Sequence, residues 1–122
     1  MLIGVPKEIK NNEYRVGLTA ASVREVVAHG HDVLIESQAG SGINNTDSDY
    51  EAVGATIAGT AAEVFEKADM IVKVKEPLSE EYNLIREGMV IFTYFHFAVI
   101  WALMSENCSV LPMLPSIFFV QR

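Results

Sequence analysis

Four short apolar runs recur along the chain, and segments with helix signals separate them. The runs are Leu2–Val5 (LIGV), Asp32–Glu36 (DVLIE), Met70–Lys75 (MIVKVK) and residues 89–96 (MVIFTYFH). Such runs are typical of parallel strands, because helices cover both faces of a parallel sheet. The alternation predicts an α/β fold in three layers, with a doubly wound, mostly parallel sheet of the Rossmann or flavodoxin type.

Helix starts and stops lie between these runs. Each of three predicted helices begins at a threonine that can accept a hydrogen bond from the first turn, namely Thr19, Thr46 and Thr60. Asp49 and Glu63 lie three positions after the last two, which is the spacing of a capping box. The predicted helices cover residues 20–29, about 50–53, 61–67 and 79–88.

Composition and charge exclude several classes of function. A net charge of −7 argues against nucleic acid as a partner, because phosphate binding needs a basic surface. Residues 89–104 are apolar but shorter than the roughly 20 residues that span a bilayer. The single cysteine, Cys108, fits a reducing compartment and therefore a cytoplasmic location. His29 and His31 lack a third ligand, so no metal site is expected.

Polar residues follow the ends of three predicted strands. Lys7 and Arg15 follow the first strand, Lys75 ends the third, and His96 ends the fourth. Ligands of open α/β sheets bind outside the carboxyl ends of the strands, so these side chains should meet at one edge. Three cations and a titratable imidazole in an acidic protein predict a pocket for a small carboxylate or keto acid.

Two lysines in the third strand need separate interpretations. Lys73 and Lys75 alternate with valines, so regular strand geometry predicts that both point to one face. Lys75 lies at the carboxyl end, where it can reach a ligand. Lys73 lies about 6.6 Å further back, and we expect it to give support by pairing with a carboxylate or extending toward solvent. Glu8 is a possible partner for Lys7, and Glu81 is interpreted as an ordinary charge near a helix start.

The motifs that contain these residues also resemble a known family. IGVPKEIKNNEYRVGLTA, HGHDVLIESQAG, VKVKEP and FTYFHFA occur in the order and spacing of the N-terminal part of L-alanine dehydrogenases, over residues 1–98. The resemblance implies an NAD-dependent, usually hexameric enzyme that interconverts L-alanine with pyruvate and ammonia. It assigns Arg15 to the substrate carboxylate, Lys75 to the carbonyl or amine, and His96 to acid/base catalysis. Tyr94, two residues earlier in the same strand, is expected to shape the pocket.

The chain departs from the family pattern after residue 98. Residues 99–122 do not align and are interpreted as a divergent or frameshifted tail. The alternative is a divergent final helix (101–104) followed by an extended segment (109–113). The only glycine pattern, GSGINN at 40–45, lacks the third glycine of a dinucleotide fingerprint and predicts a turn. We therefore expect no NAD-binding domain, no bound cofactor and no activity from this chain alone.

Three functions remain open from the sequence. The first is a truncated alanine dehydrogenase substrate domain that binds pyruvate or L-alanine. The second is a non-catalytic remnant that binds a ligand or self-associates, and the third is a related domain of the transhydrogenase or saccharopine dehydrogenase type. Apolar surface left by a missing domain, together with the tail around residues 117–120, predicts a homo-oligomer, with the tail pairing at a sheet edge.

Overall fold

One parallel sheet forms the centre of the protein in a computed structural model that describes residues 1–94 and 117–119. Its six strands lie in the order β3-β2-β1-β4-β5-β6. They are β1 (Leu2–Val5), β2 (Asp32–Glu36), β3 (Thr56–Ala58), β4 (Met70–Lys75), β5 (Val90–Tyr94) and β6 (Ile117–Phe119). Every neighbouring pair is parallel, so the predicted doubly wound α/β sheet is confirmed. The order is that of the Rossmann fold: β2 and β3 are added on one side of β1, and β4, β5 and β6 are added on the other. The strand order therefore reverses between β1 and β4.

In the described residues three α-helices connect the strands, and the predicted threonines are their N-caps. The helices are α1 (Ala20–Ala28), α2 (Asp47–Ala52) and α3 (Ala61–Lys67). Helix α2 begins at Asp47 and not near residue 50 as predicted. Thr46 and Asp49 form a complete capping box. Thr60 accepts from the backbone N–H of Glu63, but the Glu63 carboxylate accepts from Gly59 instead of from Thr60. The second predicted box is therefore only half formed. None of the helices in the described residues is long and apolar enough to cross a membrane.

The predicted helix over residues 79–88 is a single 3-10 turn, Tyr82–Leu84. Glu81 lies immediately before this turn, but its carboxylate points into the protein, where it binds Lys73 and the backbone N–H of Leu78. Arg86 turns toward the carbonyl oxygens of Phe65 and Ala68 at the end of α3. The helix prediction was wrong because these charged side chains make contacts with other elements.

Two strands were not among the four apolar runs. β3 has only three residues and follows Gly54, so it carries no period that a sequence pattern could reveal. β6 pairs with β5 of the same chain through Ile117, Phe118 and Phe119. The expected edge pairing of this tail segment thus occurs within the chain. The predicted helix at 101–104, the extended segment at 109–113 and Cys108 lie outside the described residues.

The core has one apolar cluster on each face of the sheet. Alternate residues of β1 and β2 pack with α1 and α2 around Val23 and the fully buried Tyr50, whose hydroxyl donates to the carbonyl of Leu18 at 2.9 Å. The opposite face packs on α3 around Val64 and Phe65. Because residues of both faces are buried, the central strands show continuous apolar runs in the sequence.

A β-bulge in β4 changes the direction of Lys75. Val72 pairs with Phe92, but the next pair is Lys75 with Tyr94, so β4 advances three residues while β5 advances two. Side chains alternate along a strand, and a bulge adds one residue to that count. Lys75 therefore shares a face with Val72 and not with Lys73. The prediction that both lysines point to one face was wrong.

Candidate functional site

The loop after β1, residues 6–17, covers the carboxyl edge of the sheet at the point where the strand order reverses. Two hydrogen bonds attach its beginning to the sheet. The backbone N–H of Lys7 donates to Glu36 Oε2 at 2.6 Å, and the backbone N–H of Val74 donates to Glu8 Oε1 at 2.7 Å. The loop is therefore fixed to β2 on one side and to the bulged end of β4 on the other.

The remainder of the loop is attached to β4 as well. Lys10 Nζ lies 2.8 Å from Glu76 Oε1, and the side chain of Glu76 is only 4% exposed. Burial is the largest single influence on the pKa of Glu76 and raises it, but the hydrogen bond from Lys10, a backbone hydrogen bond and the charges of Lys10 and Lys75 together outweigh burial, so the pKa is lowered. Gly17 passes so close to β4 that an added Cβ would lie 2.4 Å from the carbonyl oxygen of Val72. These contacts hold both ends of the loop against one strand.

Lys73 lies beneath this loop in a buried cluster with two carboxylates. Its Nζ is 2.5 Å from Glu81 Oε1 and 3.8 Å from Glu8 Oε2, and its side chain is 1% exposed. Burial raises the pKa of Glu8, although the charge of Lys73 opposes that effect. The prediction that Lys73 pairs with a carboxylate is confirmed. Two other predictions were wrong, because Glu81 is buried and Glu8 bonds to β4 and not to Lys7.

Arg15 is held by Glu13 near the end of the same loop. Arg15 Nε donates to Glu13 Oε1 at 2.9 Å, and Nη2 donates to Oε2 at 2.8 Å. The Arg15 side chain is 65% exposed, whereas that of Glu13 is 6% exposed. The hydrogen bonds from Arg15 lower the pKa of Glu13 to about 2, so this carboxylate remains ionised at neutral pH. The pair presents an exposed cation on a carboxylate whose side chain has little exposed surface.

A cleft of about 370 Å³ opens beside the Arg15 pair. Most of the loop between Lys7 and Arg15 lines one side, and the segment from Ala39 to Gly42 lines the other. The volume lies within the range of small-molecule sites, and its wall mixes cations with backbone and amide groups. Lys75 does not line this cleft, but its ammonium is close enough to lower the pKa of Glu13 and of Glu76.

The residues expected to bind substrate come together only in part. Arg15 and Lys75 both act on the Glu13 carboxylate, and Lys75 makes no ion pair within the described part of the chain. The backbone of Tyr94 ends β5 directly opposite Lys75. His96, the expected acid/base residue, lies beyond the described range 1–94. Arg15 and Lys75 thus share an electrostatic interaction with Glu13, but only Arg15 lines the cleft.

The glycines at 40 and 42 do not form a dinucleotide-binding loop. Gly40 precedes a 3-10 turn, Ser41–Ile43, and Gly42 lies within it, and no α-helix opens directly from β2. An added Cβ at Gly42 would lie 2.3 Å from the carbonyl oxygen of Tyr14, and one at Gly40 would lie 2.7 Å from the Tyr50 hydroxyl. Both positions are filled by neighbouring groups of the protein, so this segment does not fit the pyrophosphate of NAD.

Three acidic residues, Glu8, Glu13 and Glu76, were not assigned to the site from the sequence, which made Glu8 a partner of Lys7 and Glu76 a partner of a lysine. Glu8 and Glu76 approach the site by contacts with residues that lie 66 positions away. No local pattern reveals such contacts. Glu13 is different because it lies two positions before Arg15 in the motif NEYR. The opposite charges of these two residues, so close in sequence, are a local signal of an ion pair. The sequence interpretation considered the arginine alone.

Comparison with known proteins identifies the family. The family model described as "Alanine dehydrogenase/PNT, N-terminal domain" matches residues 4–113. The chain belongs to this family. It is 58% identical over 98 residues to alanine dehydrogenase of Methanococcus maripaludis and 49% identical over 98 residues to that of Mycolicibacterium smegmatis. Each alignment covers 80% of the chain and 26% of the relative, so the chain spans about a quarter of the length of these relatives.

Solved structures of the family have the same fold. An L-alanine dehydrogenase matches with a TM-score of 0.84 and 45% identity, over 93% of the chain and 30% of that structure's chain. A transhydrogenase from Sinorhizobium meliloti matches with a TM-score of 0.71 and 36% identity, over 76% and 27% of the two chains. The predicted resemblance to alanine dehydrogenases is therefore confirmed at the level of family and fold.

Proposed function

We propose that this chain is the substrate-binding part of an alanine dehydrogenase and that its loop 6–17 holds pyruvate or L-alanine. The observation that supports the proposal most directly is the exposed guanidinium of Arg15 at the mouth of the cleft, with Lys75 close by. The family relationship supports the same substrate class, since the chain is 48–58% identical to several alanine dehydrogenases over 98 residues.

Each residue type has a defined task in this proposal. The planar guanidinium of Arg15 binds the substrate carboxylate through parallel hydrogen bonds and so fixes its orientation. The ammonium of Lys75 stabilises charge that develops on the carbonyl oxygen or the amine during the reaction. His96 exchanges a proton in either direction because imidazole titrates near neutrality. Tyr94, opposite Lys75, shapes the adjacent wall.

NAD is the hydride carrier in the proposed reaction, and we place its site outside the described residues. The glycine segment at 40–45 is packed against Tyr14 and Tyr50 and leaves no cradle for a pyrophosphate. The 122-residue chain by itself is accordingly proposed to bind substrate without turnover, because nothing in the described residues orients the second reactant. An assay of NADH-linked pyruvate amination on the purified chain tests this, and steady turnover would contradict it.

Titration of the purified chain with pyruvate, followed by NMR, tests the substrate assignment. A hydrogen bond to a charged group contributes about 1.5–3 kcal/mol, so Arg15→Ala and Lys75→Ala should each weaken binding by about tenfold or more. Lys67→Ala is the matched control, since Lys67 is an exposed lysine paired with Glu63 on α3, away from the loop. Equal binding by all three variants and the wild type would overturn the assignment.

We further propose that the chain self-associates and acts in the cytoplasm. Phe92 in the sheet is 40% exposed in the single chain, and Ile9 and Tyr14 in the loop are 42% and 67% exposed. Apolar surface of this kind favours association. A transhydrogenase-type role is the alternative within the same family, and the lower identity of 36% to the transhydrogenase structure, against 45% to the dehydrogenase structure, disfavours it.

A further inference from the structure

We propose that Glu13 is a positioning residue, which holds the Arg15 guanidinium from one side so that its other edge faces the substrate carboxylate. This inference rests on the proposed function of the loop as a substrate site. It adds a specific task for an acidic residue that lies next to an anion-binding arginine. A negative charge at that place would otherwise be expected to weaken the binding of an anion.

The geometry of the pair is side-on. Glu13 accepts from Nε and from Nη2 of Arg15, at 2.9 and 2.8 Å. Guanidinium carries five N–H donors in a rigid fork, and this arrangement uses two of them. The edge formed by Nη1 and the second N–H of Nη2 therefore stays available. That edge can bind a second carboxylate with two parallel hydrogen bonds, so the arginine can hold Glu13 and the substrate together.

Glu13 itself is fixed in the loop. Its Oε1 also accepts from the backbone N–H of Arg15 at 3.0 Å, which gives the carboxylate three hydrogen bonds from one residue. The preceding Asn12 has a φ of 60°, in the left-handed region, and lies in the turn that the Glu13 N–H closes by donating to the Lys10 carbonyl at 3.1 Å. With 6% of the Glu13 side chain exposed against 65% for Arg15, the anion is the fixed partner and the cation is the presented one.

The expected benefit is pre-organisation. A long, exposed arginine would lose rotamer freedom on binding a ligand. The hydrogen bonds to Glu13 already restrict the Arg15 side chain before a ligand binds, so that loss no longer opposes binding. Immobilising one such side chain accounts for about a three- to tenfold difference in affinity. The charge of Lys75 also lowers the pKa of Glu13, so the same carboxylate interacts with both cations proposed to hold the substrate.

The test measures two properties of the 122-residue chain. Pyruvate titration gives the dissociation constant, and the NMR signal of the Arg15 Nε–H reports how firmly the guanidinium is held, with or without ligand. Glu13→Ala should broaden or abolish that signal and weaken pyruvate binding by about three- to tenfold. Glu13→Gln retains an acceptor for Nε and should lie between the wild type and the alanine variant. Glu66→Ala, an exposed glutamate on α3, is the control and should change neither property.

The outcomes separate the two proposals. A wild type that binds no pyruvate overturns the substrate assignment, whatever the Nε–H signal does. If pyruvate binds and Arg15→Ala abolishes binding, the substrate assignment stands, and tighter or unchanged binding by Glu13→Ala then overturns the role of Glu13. An unchanged Nε–H signal in a folded Glu13→Ala variant overturns that role as well.

Discussion

Replacing Lys73 by methionine tests the buried charge cluster under the loop. Methionine keeps most of the length of the lysine stem but removes the ammonium that lies 2.5 Å from Glu81 and 3.8 Å from Glu8. Both carboxylates then remain in a buried site without their cation. Removal of one partner of a buried ion pair costs about 3–5 kcal/mol, a large part of the roughly 5–15 kcal/mol that stabilises an ordinary domain.

Lys67→Met is the matched control for this prediction. Lys67 also contacts a carboxylate at short range, Glu63 at 2.6 Å, but its side chain is 53% exposed against 1% for Lys73. An exposed pair at this helical spacing contributes only about 0.3–0.5 kcal/mol. The same substitution at the two positions therefore isolates the effect of burial.

Urea unfolding followed by circular dichroism provides the measurement. With a slope of about 1–3 kcal/mol per molar urea, a loss of about 3–5 kcal/mol should lower the midpoint of Lys73→Met by about 1–5 M, while that of Lys67→Met should hardly move. A free energy of unfolding for Lys73→Met within about 1 kcal/mol of the Lys67→Met value would refute the reasoning. It would mean that the cluster is hydrated or rearranges at little cost.

Three further predictions concern the loop, its buried carboxyl group and self-association. In urea unfolding, Gly17→Ala should lower the free energy of unfolding by about 1–3 kcal/mol, because the added Cβ would meet the carbonyl of Val72. Gly59→Ala is the control: its Cβ would meet nothing within 4 Å, so the substitution should be neutral or slightly stabilising. Burial raises the pKa of Glu8 above 4.5, so the folded chain binds a proton at Glu8 more tightly than the unfolded chain does. The folded chain therefore loses stability as the pH rises from the pKa of Glu8 in the unfolded chain to its higher pKa in the folded chain. The free energy of unfolding of the wild type minus that of Glu8→Gln should therefore fall from pH 4.5 upward, and a flat difference would contradict the prediction. Sedimentation at high micromolar concentration should show a dimer or larger species, and a monomer would count against self-association.

The bounds of the main strands could be predicted from the sequence because burial on both faces makes them continuous apolar runs. β1, β2 and β4 begin and end where the sequence indicated. The helix starts were predictable too, since a threonine hydroxyl accepting a first-turn N–H is a local interaction. β3 was missed because three residues do not establish a period. The bulge in β4 was missed because pairing with β5, and not the local sequence, sets it.

The site was predictable where it depends on strand ends and not where it depends on distant partners. The position of Lys75 at the end of β4, and of Arg15 in the loop that follows β1, follows from sheet topology. The burial of Lys73 does not, because Glu8 lies far away in sequence and reaches the same cluster only after β1 and β4 pair. The separation of the two lysines onto different faces also required the three-dimensional register. The pairing of Lys73 with a carboxylate was one of the two predicted alternatives, but it was predicted with the wrong strand register.

The attachment of the loop at residues 6–17 has a consequence for the order of folding. Its ties to β4 join Glu8 to Val74 and Lys10 to Glu76, each across 66 positions of the chain. Contacts of such long sequence separation form late, since a large segment of chain must be closed before they gain any energy. The pairing of β1 with β2 spans about half that distance. The loop that carries Arg15 therefore becomes ordered only when β4 has joined the sheet, although it lies near the beginning of the sequence.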